Sequence, residues 1–360
     1  MAYKTGEKMS QTQEQRNNGV LKSWIKQWVW AAFCNHEKIF NEIIDEKKPW
    51  TLDKFHNSHK DEPAIIIGAG KSVDKLWPVI SDWKGDIFAP ESLGQTCAYH
   101  GHKPEYLMVF DCHEKVWQNW LKDFDWTGTT LVTNPCASVE MIDKWPEDKI
   151  YSLMLHYSRL HKEIEGDSLL AKEADAKDQL IGFDFFENVM PIAYNFIPAQ
   201  ILNSGCVVNN SIQVARFMGY NPIFLAGVDF GFKDWENRTD KWMLVNGEWV
   251  CTPGGIVKHE EDGKEVGDTN ISREIIMSLN DIPSTEEQIE YKTAMMQVYR
   301  IDKPQLIDCG DGIVTELPKA DITEVVKNHG RGYEKIYRTG EEIVRIANTY
   351  LHRREDVSVK

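Results

Sequence analysis

Four residues near the start of the chain have the types and spacing to hold an anion. Gly68, Gly70, Lys71 and Ser72 stand in "AIIIGAGKSVDKLW" (64–77), where an apolar run ends at a glycine pair and passes into a charged, helix-like segment. Glycines let backbone approach a ligand closely, and a helix N-terminus offers unpaired N–H groups with partial positive charge. With Ser72 as an N-cap candidate, the stretch reads as a turn that could touch a phosphate, or as a plain turn after a strand. It lacks the first glycine of a Walker loop, and the third glycine of G-x-G-x-x-G is missing.

Other candidates follow other apolar runs. Asp111 closes "EYLMVFD" and Asp229 follows "IFLAGV". A carboxylate at a strand end is costly unless it is solvated, paired or bound to a metal. Two of them converging on a phosphate would suit Mg²⁺, whereas the plainer roles are an N-cap or a structural hydrogen bond. His113 and His259 are candidates for acid/base work, and each could equally be structural. Ser92 follows Glu91 after the second run, and Thr133 and Asn134 follow the fourth. Ser204 and Gly205 in "NSG" could hold a second part of a nucleotide or simply cap the next helix.

These residues need a scaffold that brings strand ends together. Apolar runs at 64–70, 85–91, 105–111, 129–135, 149–157 and 221–232 alternate with helix-like segments. Continuous apolar strands separated by helices predict an α/β fold: an open, doubly wound, mostly parallel, Rossmann-like sheet covered on both faces. In such sheets ligands bind beyond the carboxyl ends of the strands, where Gly68 to Ser72, Ser92, Asp111, His113, Thr133, Asn134 and Asp229 fall. Val20–Ile44 has helical apolar spacing and reads as an N-terminal extension packed on the main domain or on a second subunit, a route to a homo-oligomer. Val208, Ile212, Ala215 and Met218 mark another helix, with Gly219 as its C-cap. The expected organisation is a tail and helical extension over 1–60, a main α/β domain over 61–325 and a C-terminal helix within 326–360. Insertions are expected at 158–200, as a charged stretch and an apolar lid, and at 245–268, as a hairpin.

Composition narrows the partners. The net charge is −15, which gives no basic footprint for nucleic acid but allows a local pocket for one small nucleotide. The seven cysteines form no C-x-x-C pair, which argues against a disulfide framework or a zinc site and for a reducing, cytoplasmic setting. The N-terminal residues are not a secretory signal, and "WVWAAFC" is far too short to span a bilayer.

The stretch "AIIIGAGKSVDKL" resembles the first-strand motif of the MptE-like family, a strand followed by G-x-G-P-S-L. That family includes archaeal 6-hydroxymethyl-7,8-dihydropterin pyrophosphokinases. The stretch is also similar to the nucleotide loop of the motility accessory factor glycosyltransferases and of bacterial sialyltransferases that use CMP-sialic acid. "KPEYLMVFD" resembles the family strand that ends in aspartate. "SGCVVNNSIQVARFMGYNPIFLAGVDFGF" resembles its helix-and-strand segment ending in G-x-D, and "LIDCGDGI" its late strand and turn. Lys71 stands where the family has proline, and "APESLGQT" replaces its small residue after the second strand.

The resemblance implies a nucleotide-dependent transferase with a small-molecule nucleotide donor and a hydroxyl acceptor. Gly68, Gly70 and Ser72 would line the phosphates, Asp111 and Asp229 would sit at the reacting centre, and Ser204 and Gly205 would lie near the nucleotide. Two reactions follow from it. A diphosphokinase would use ATP and Mg²⁺ held by Asp111 and Asp229. A glycosyltransferase would use a CMP-sugar or related donor, with His113 or His259 as base. A non-catalytic nucleotide-binding scaffold is the third reading.

Overall fold

The structure is a computed structural model that describes residues 27–44, 50–156, 189–203, 206–236, 238–256, 259–261, 264–266, 276–278, 282–302 and 305–329. The expected C-terminal helix at 341–355, most of the 158–200 insertion, and Ser204 and Gly205 lie outside these residues.

Seven apolar runs form one sheet. They are β1 (Ala64–Ile67), β2 (Asp86–Pro90), β3 (Tyr106–Val109), β4 (Thr130–Thr133), β5 (Lys149–Tyr151), β8 (Ile223–Ala226) and β15 (Leu306–Asp308). Their order is β15-β8-β1-β2-β3-β4-β5, and every neighbouring pair is parallel. Ile65 pairs with Ile87 on one side and Phe224 on the other, which sets the central register. The chain runs outward from β1 to β5, then returns to place β8 against β1. That reversal between β8 and β1 is the topological switch point at which open α/β sheets bind ligands. The expected Rossmann-like α/β fold is present, with a wholly parallel central sheet.

Both faces are buried because successive side chains point opposite ways. Ile66, Phe88 and Met108 pack on Ile212 and Ala215 of α5 (Val207–Phe217) and on Met218, its C-cap. Ile65, Ile67 and Ile87 pack on Trp77, Trp83, Leu93 of α2 (Glu91–Tyr99), and Val326 of α7 (Ile322–His329). At the β3–β5 edge, Leu107 and Leu131 meet Ala32 and Ile39 of α1 (27–44) and Met141 and Ile142 of α3 (Val139–Lys144). Asn35 ties α1 to the main domain through Pro135 and Ala137 carbonyls, at 3.0 and 2.9 Å. Glu42 accepts from Lys149 and from Tyr151, both at 2.7 Å. The extension thus packs on its own domain. The described end of the expected lid, with α4 (Met190–Ala193), also packs on α1, where the Tyr194 hydroxyl donates to the Ala32 carbonyl.

The hairpin expected at 245–268 is two hairpins. β9 (Lys241–Val245) and β10 (Glu248–Thr252) are joined by Asn246 and Gly247, both at positive φ as a tight hairpin turn requires. β11 (His259–Glu261) and β12 (Lys264–Val266) form the second. β6 (Leu153–His156) pairs with β7 (Gln200–Asn203), and β13 (Ile276–Met277) with β14 (Pro283–Ser284). The helix expected after Ser284 is α6 (Glu286–Asp302). No helix of the described residues is long and apolar enough to cross a membrane.

Candidate functional site

The loop after β1 meets the loop after β8. Gly68 N–H donates to the Ala226 carbonyl at 2.7 Å and Gly70 N–H to the Gly227 carbonyl at 2.8 Å, so pairing continues past both strands. A Cβ on Gly68 would lie 2.3 Å from the Gly227 oxygen, and one on Gly70 would lie 2.3 Å from Asp229 Oδ2. Gly227 itself sits at φ +70°. These glycines therefore serve the contact between two loops of the same chain.

Asp229 occupies the place expected for an anion. Its Oδ2 accepts from the Ser72 N–H at 3.0 Å and its Oδ1 from the Ser72 hydroxyl at 2.5 Å. Ser72 is consequently not an N-cap. Gly70 takes that position, and Ser72 lies inside the short 3₁₀ turn Lys71–Lys75. Burial holds the Asp229 carboxyl above its usual range, and the two Ser72 bonds pull the other way. Lys71 reaches Asp74 at 2.8 Å, and that hydrogen bond raises its pKa.

The exit of β15 completes this end. Asp308 is fully buried, accepts from the Gly310 N–H at 2.8 Å, and pairs with Lys319, whose ammonium also donates to the Gly310 carbonyl at 3.0 Å. Burial pushes the Asp308 carboxyl up to about 6, against the opposing pull of Lys319. The native state then holds a proton that the unfolded chain releases. This group's contribution to stability is full below about pH 4 and is lost as pH rises through about 6. Urea midpoints measured from pH 4 to 7 are expected to show this falling component, on the order of 2–3 kcal/mol, and Asp308→Asn is expected to remove it. An identical pH slope in the variant would exclude the assignment.

A second group of residues gathers at the exits of β2 and β3. Glu91 is the first residue of α2, whose N-cap Pro90 gives no side-chain cap. Burial pushes its carboxyl up to about 7, with Asp111 adding to the shift and Lys241 opposing it. Asp111 accepts from the His113 N–H at 2.9 Å, and burial raises its pKa. The His113 Nδ1 accepts from the Lys115 N–H at 3.1 Å, which leaves the proton of the neutral ring on Nε2. Ser92, the second residue of α2, is half-buried.

Lys241 comes to this group on the β9–β10 hairpin. Trp242 N–H donates to Thr96 Oγ1 at 3.0 Å and Leu244 N–H to Gln95 Oε1 at 2.6 Å, which clamps β9 to α2. The Trp242 ring stacks on Tyr99 at 3.9 Å. The Lys241 side chain is buried, with its ammonium 4.7 Å from the centre of the Trp120 ring. Burial pulls its pKa down to about 8, Arg238 adds to that, and Glu91 opposes it.

The remaining predicted residues are placed differently. Thr133 is fully buried and donates to the Val109 carbonyl at 2.7 Å. Asn134 is equally buried and accepts from the Cys136 N–H at 2.6 Å, so these two side chains shape the turn after β4. His259 begins β11, in a two-stranded sheet apart from the main sheet.

Asp111 and Asp229 do not share a coordination sphere. β1 and β2 separate β3 from β8, which puts the strand ends about 14 Å apart at normal sheet spacing. A Mg²⁺ ion with bonds near 2 Å cannot bridge that gap, and Asp229 turns its oxygens to Ser72. The expected two-aspartate magnesium site does not fit these residues. Sequence reading noted Glu91 at a strand exit but gave it no role, and it passed over Lys241 and Asp308. Lys241 sits in a β-prone run with no motif around it, and only the hairpin's docking on α2 reveals it.

Comparison with known proteins follows from this geometry. The chain shares 15% identity with the MAf glycosyltransferase from Magnetospirillum magneticum AMB-1, with a TM-score of 0.42, over 78% of this chain and 40% of that one. It shares 12% with the sialyltransferase CstII from Campylobacter jejuni, solved in complex with cytidine-5'-monophosphate, with a TM-score of 0.28, over 73% and 86% of the two chains. No curated protein matches the sequence. The family model described as 6-hydroxymethylpterin diphosphokinase MptE-like matches residues 37–235. That match spans more than half of the chain, which therefore belongs to the MptE-like family.

Proposed function

We propose that the chain is a nucleotide-dependent transferase that moves a glycosyl group from a nucleotide donor to a hydroxyl acceptor at the carboxyl ends of β2 and β3. The observation that carries this reading is the buried Lys241 ammonium, held on α2 by the docked hairpin and interacting electrostatically with Glu91 at the helix start. A buried cation favours the negative charge that builds on a departing phosphate, and the positive end of a helix dipole adds to it. Glu91, with a pKa near neutrality, is suited to take the proton of the acceptor hydroxyl as the new glycosidic bond forms. Membership of a family named for a diphosphokinase supports nucleotide chemistry in general. The separation of Asp111 from Asp229 favours the glycosyl over the magnesium-dependent diphosphokinase reading.

The test is a thermal-shift panel of ATP, CTP, CMP, CMP-sialic acid, and UDP and GDP sugars, each with Mg²⁺ and with EDTA. Stabilisation by a nucleotide or its sugar conjugate that survives EDTA is expected. Lys241→Ala is expected to weaken it at least about tenfold, the equivalent of roughly 1.4 kcal/mol. Both groups are charged only between about pH 7 and 8, so donor turnover should peak there. Lys241→Arg, which stays protonated, should extend the alkaline limb. Stabilisation by ATP that requires Mg²⁺ would instead favour diphosphoryl transfer. Binding with no turnover of any donor would favour a scaffold.

A further inference from the structure

The opposite edge of the sheet carries a cluster with the donor set of a transition-metal site. His59, Glu62 and Asp86 each offer a ligand atom, and these atoms lie within 4.8 Å of one another. His59 Nδ1 is 2.9 Å from Glu62 Oε2 and 3.6 Å from Asp86 Oδ2. Ligands around a tetrahedral zinc ion, with bonds near 2.0–2.1 Å, stand about 3.3–3.5 Å from one another. Small side-chain shifts would therefore seat an ion among the three.

The surroundings hold the donors in place. His59 Nε2 is 3.2 Å from the Tyr106 hydroxyl, an outward hydrogen bond of the kind that fixes the tautomer of a metal-binding imidazole. The imidazole is stacked on Tyr220 at 4.6 Å, and the Tyr220 hydroxyl donates to Asp86 Oδ2. The loop that carries His59 and Glu62 is pinned to the end of α5: His59 N–H donates to the Met218 carbonyl at 2.8 Å and Asp61 N–H to the Gly219 carbonyl at 3.0 Å. Glu62 and Asp86 also line an open cavity of about 350 Å³, together with Pro63, Lys84 and Gly85. That space leaves room for water to complete the coordination.

We propose that His59, Glu62 and Asp86 bind one divalent transition-metal ion, of which zinc fits the mixed nitrogen and oxygen donors best. The imidazole disfavours Ca²⁺ and Mg²⁺, which take oxygen ligands. Asp86 begins β2 and Glu91 follows its end, so the ion lies about 16 Å from the strand-exit site. It has no part in the transfer reaction. Its role is to staple the 57–62 loop to the amino end of β2.

The test titrates the full chain, stripped with EDTA and exchanged into chelator-free buffer, with ZnCl₂ by calorimetry and with CoCl₂ by visible absorption. One equivalent of saturable binding, with cobalt bands of a low-coordinate site, is expected. Glu62→Gln and Asp86→Asn should each weaken it at least about tenfold. The Glu62 side chain is 54% exposed, so its variant is expected to fold even if the Asp86 variant does not. Absence of saturable binding in the wild type would overturn the proposal. So would binding unchanged in Glu62→Gln, which would place the ion on other groups such as the free cysteines.

Discussion

Gly70→Val is expected to destabilise the protein by about 3 kcal/mol or more, the upper part of the range for overpacking a rigid site. The new Cβ would fall 2.3 Å from Asp229 Oδ2 and 2.7 Å from the Gly227 carbonyl oxygen. Neither neighbour can give way. Gly227 is held at φ +70° and bonded to the Gly70 N–H. Asp229 is wedged from behind by Gly312, whose own Cβ would lie 2.0 Å from the Asp229 carbonyl oxygen. The check is a urea denaturation curve of the variant against wild type, with Gly128→Ala as control. Gly128 has open space for a Cβ but sits at φ +83°, so it reports backbone strain without a clash. A Gly70→Val midpoint no lower than that of the control would mean that the two loops are not locked as the structure has them.

Asp229→Ala is the second large effect, with an expected loss of about 2–4 kcal/mol. The half-buried Ser72 N–H and hydroxyl both lose their acceptor, and an unsatisfied buried donor costs about 1–3 kcal/mol. Asp308 and Lys319 stand close by and would remain paired, so the damage should stay local to the exits of β1 and β8. Asp229→Asn keeps one acceptor oxygen and should fall between wild type and alanine. Hydrogen exchange at the Ser72 amide reads this directly: protection should collapse in Asp229→Ala and persist in part in Asp229→Asn. Equal protection in all three proteins would show that Asp229 does not hold the turn.

Much of the fold was legible because its signals are local. The six apolar runs that begin β1 to β5 and β8 were visible, since a strand buried on both faces reads as an unbroken apolar stretch whatever lies around it. The helix at 207–217 was equally visible from its repeat and from Gly219, which takes φ +96° just past the helix end. Hairpin boundaries were less so. The Asn246–Gly247 turn was inside the expected excursion, yet β9 begins at Lys241, before the glycines that marked it.

The site was legible in part. Listing the polar residues at strand exits found Gly68, Gly70, Ser72, Asp111 and Asp229, because a parallel sheet sends all its strand ends to one edge. It did not reveal what they do to each other. Ser72 and Asp229 are 157 positions apart, and their hydrogen bonds turn an expected phosphate cradle into an internal contact. Thr133 and Asn134 looked free and are spent on neighbouring backbone.

The sequence by itself determined the fold class and the family, and it placed most of the candidate residues at the strand-exit edge. Periodicity and motif spacing act over a few residues and survive without knowledge of neighbours. Only the tertiary structure decided the pairing of the charges. β9 reaches α2 across 146 positions and brings Lys241 to Glu91. The sheet order holds Asp111 and Asp229 three strands apart, too far to share an ion. Electrostatic roles depend on distance and burial, and those follow from how the strands are ordered rather than from how the residues are spaced along the chain.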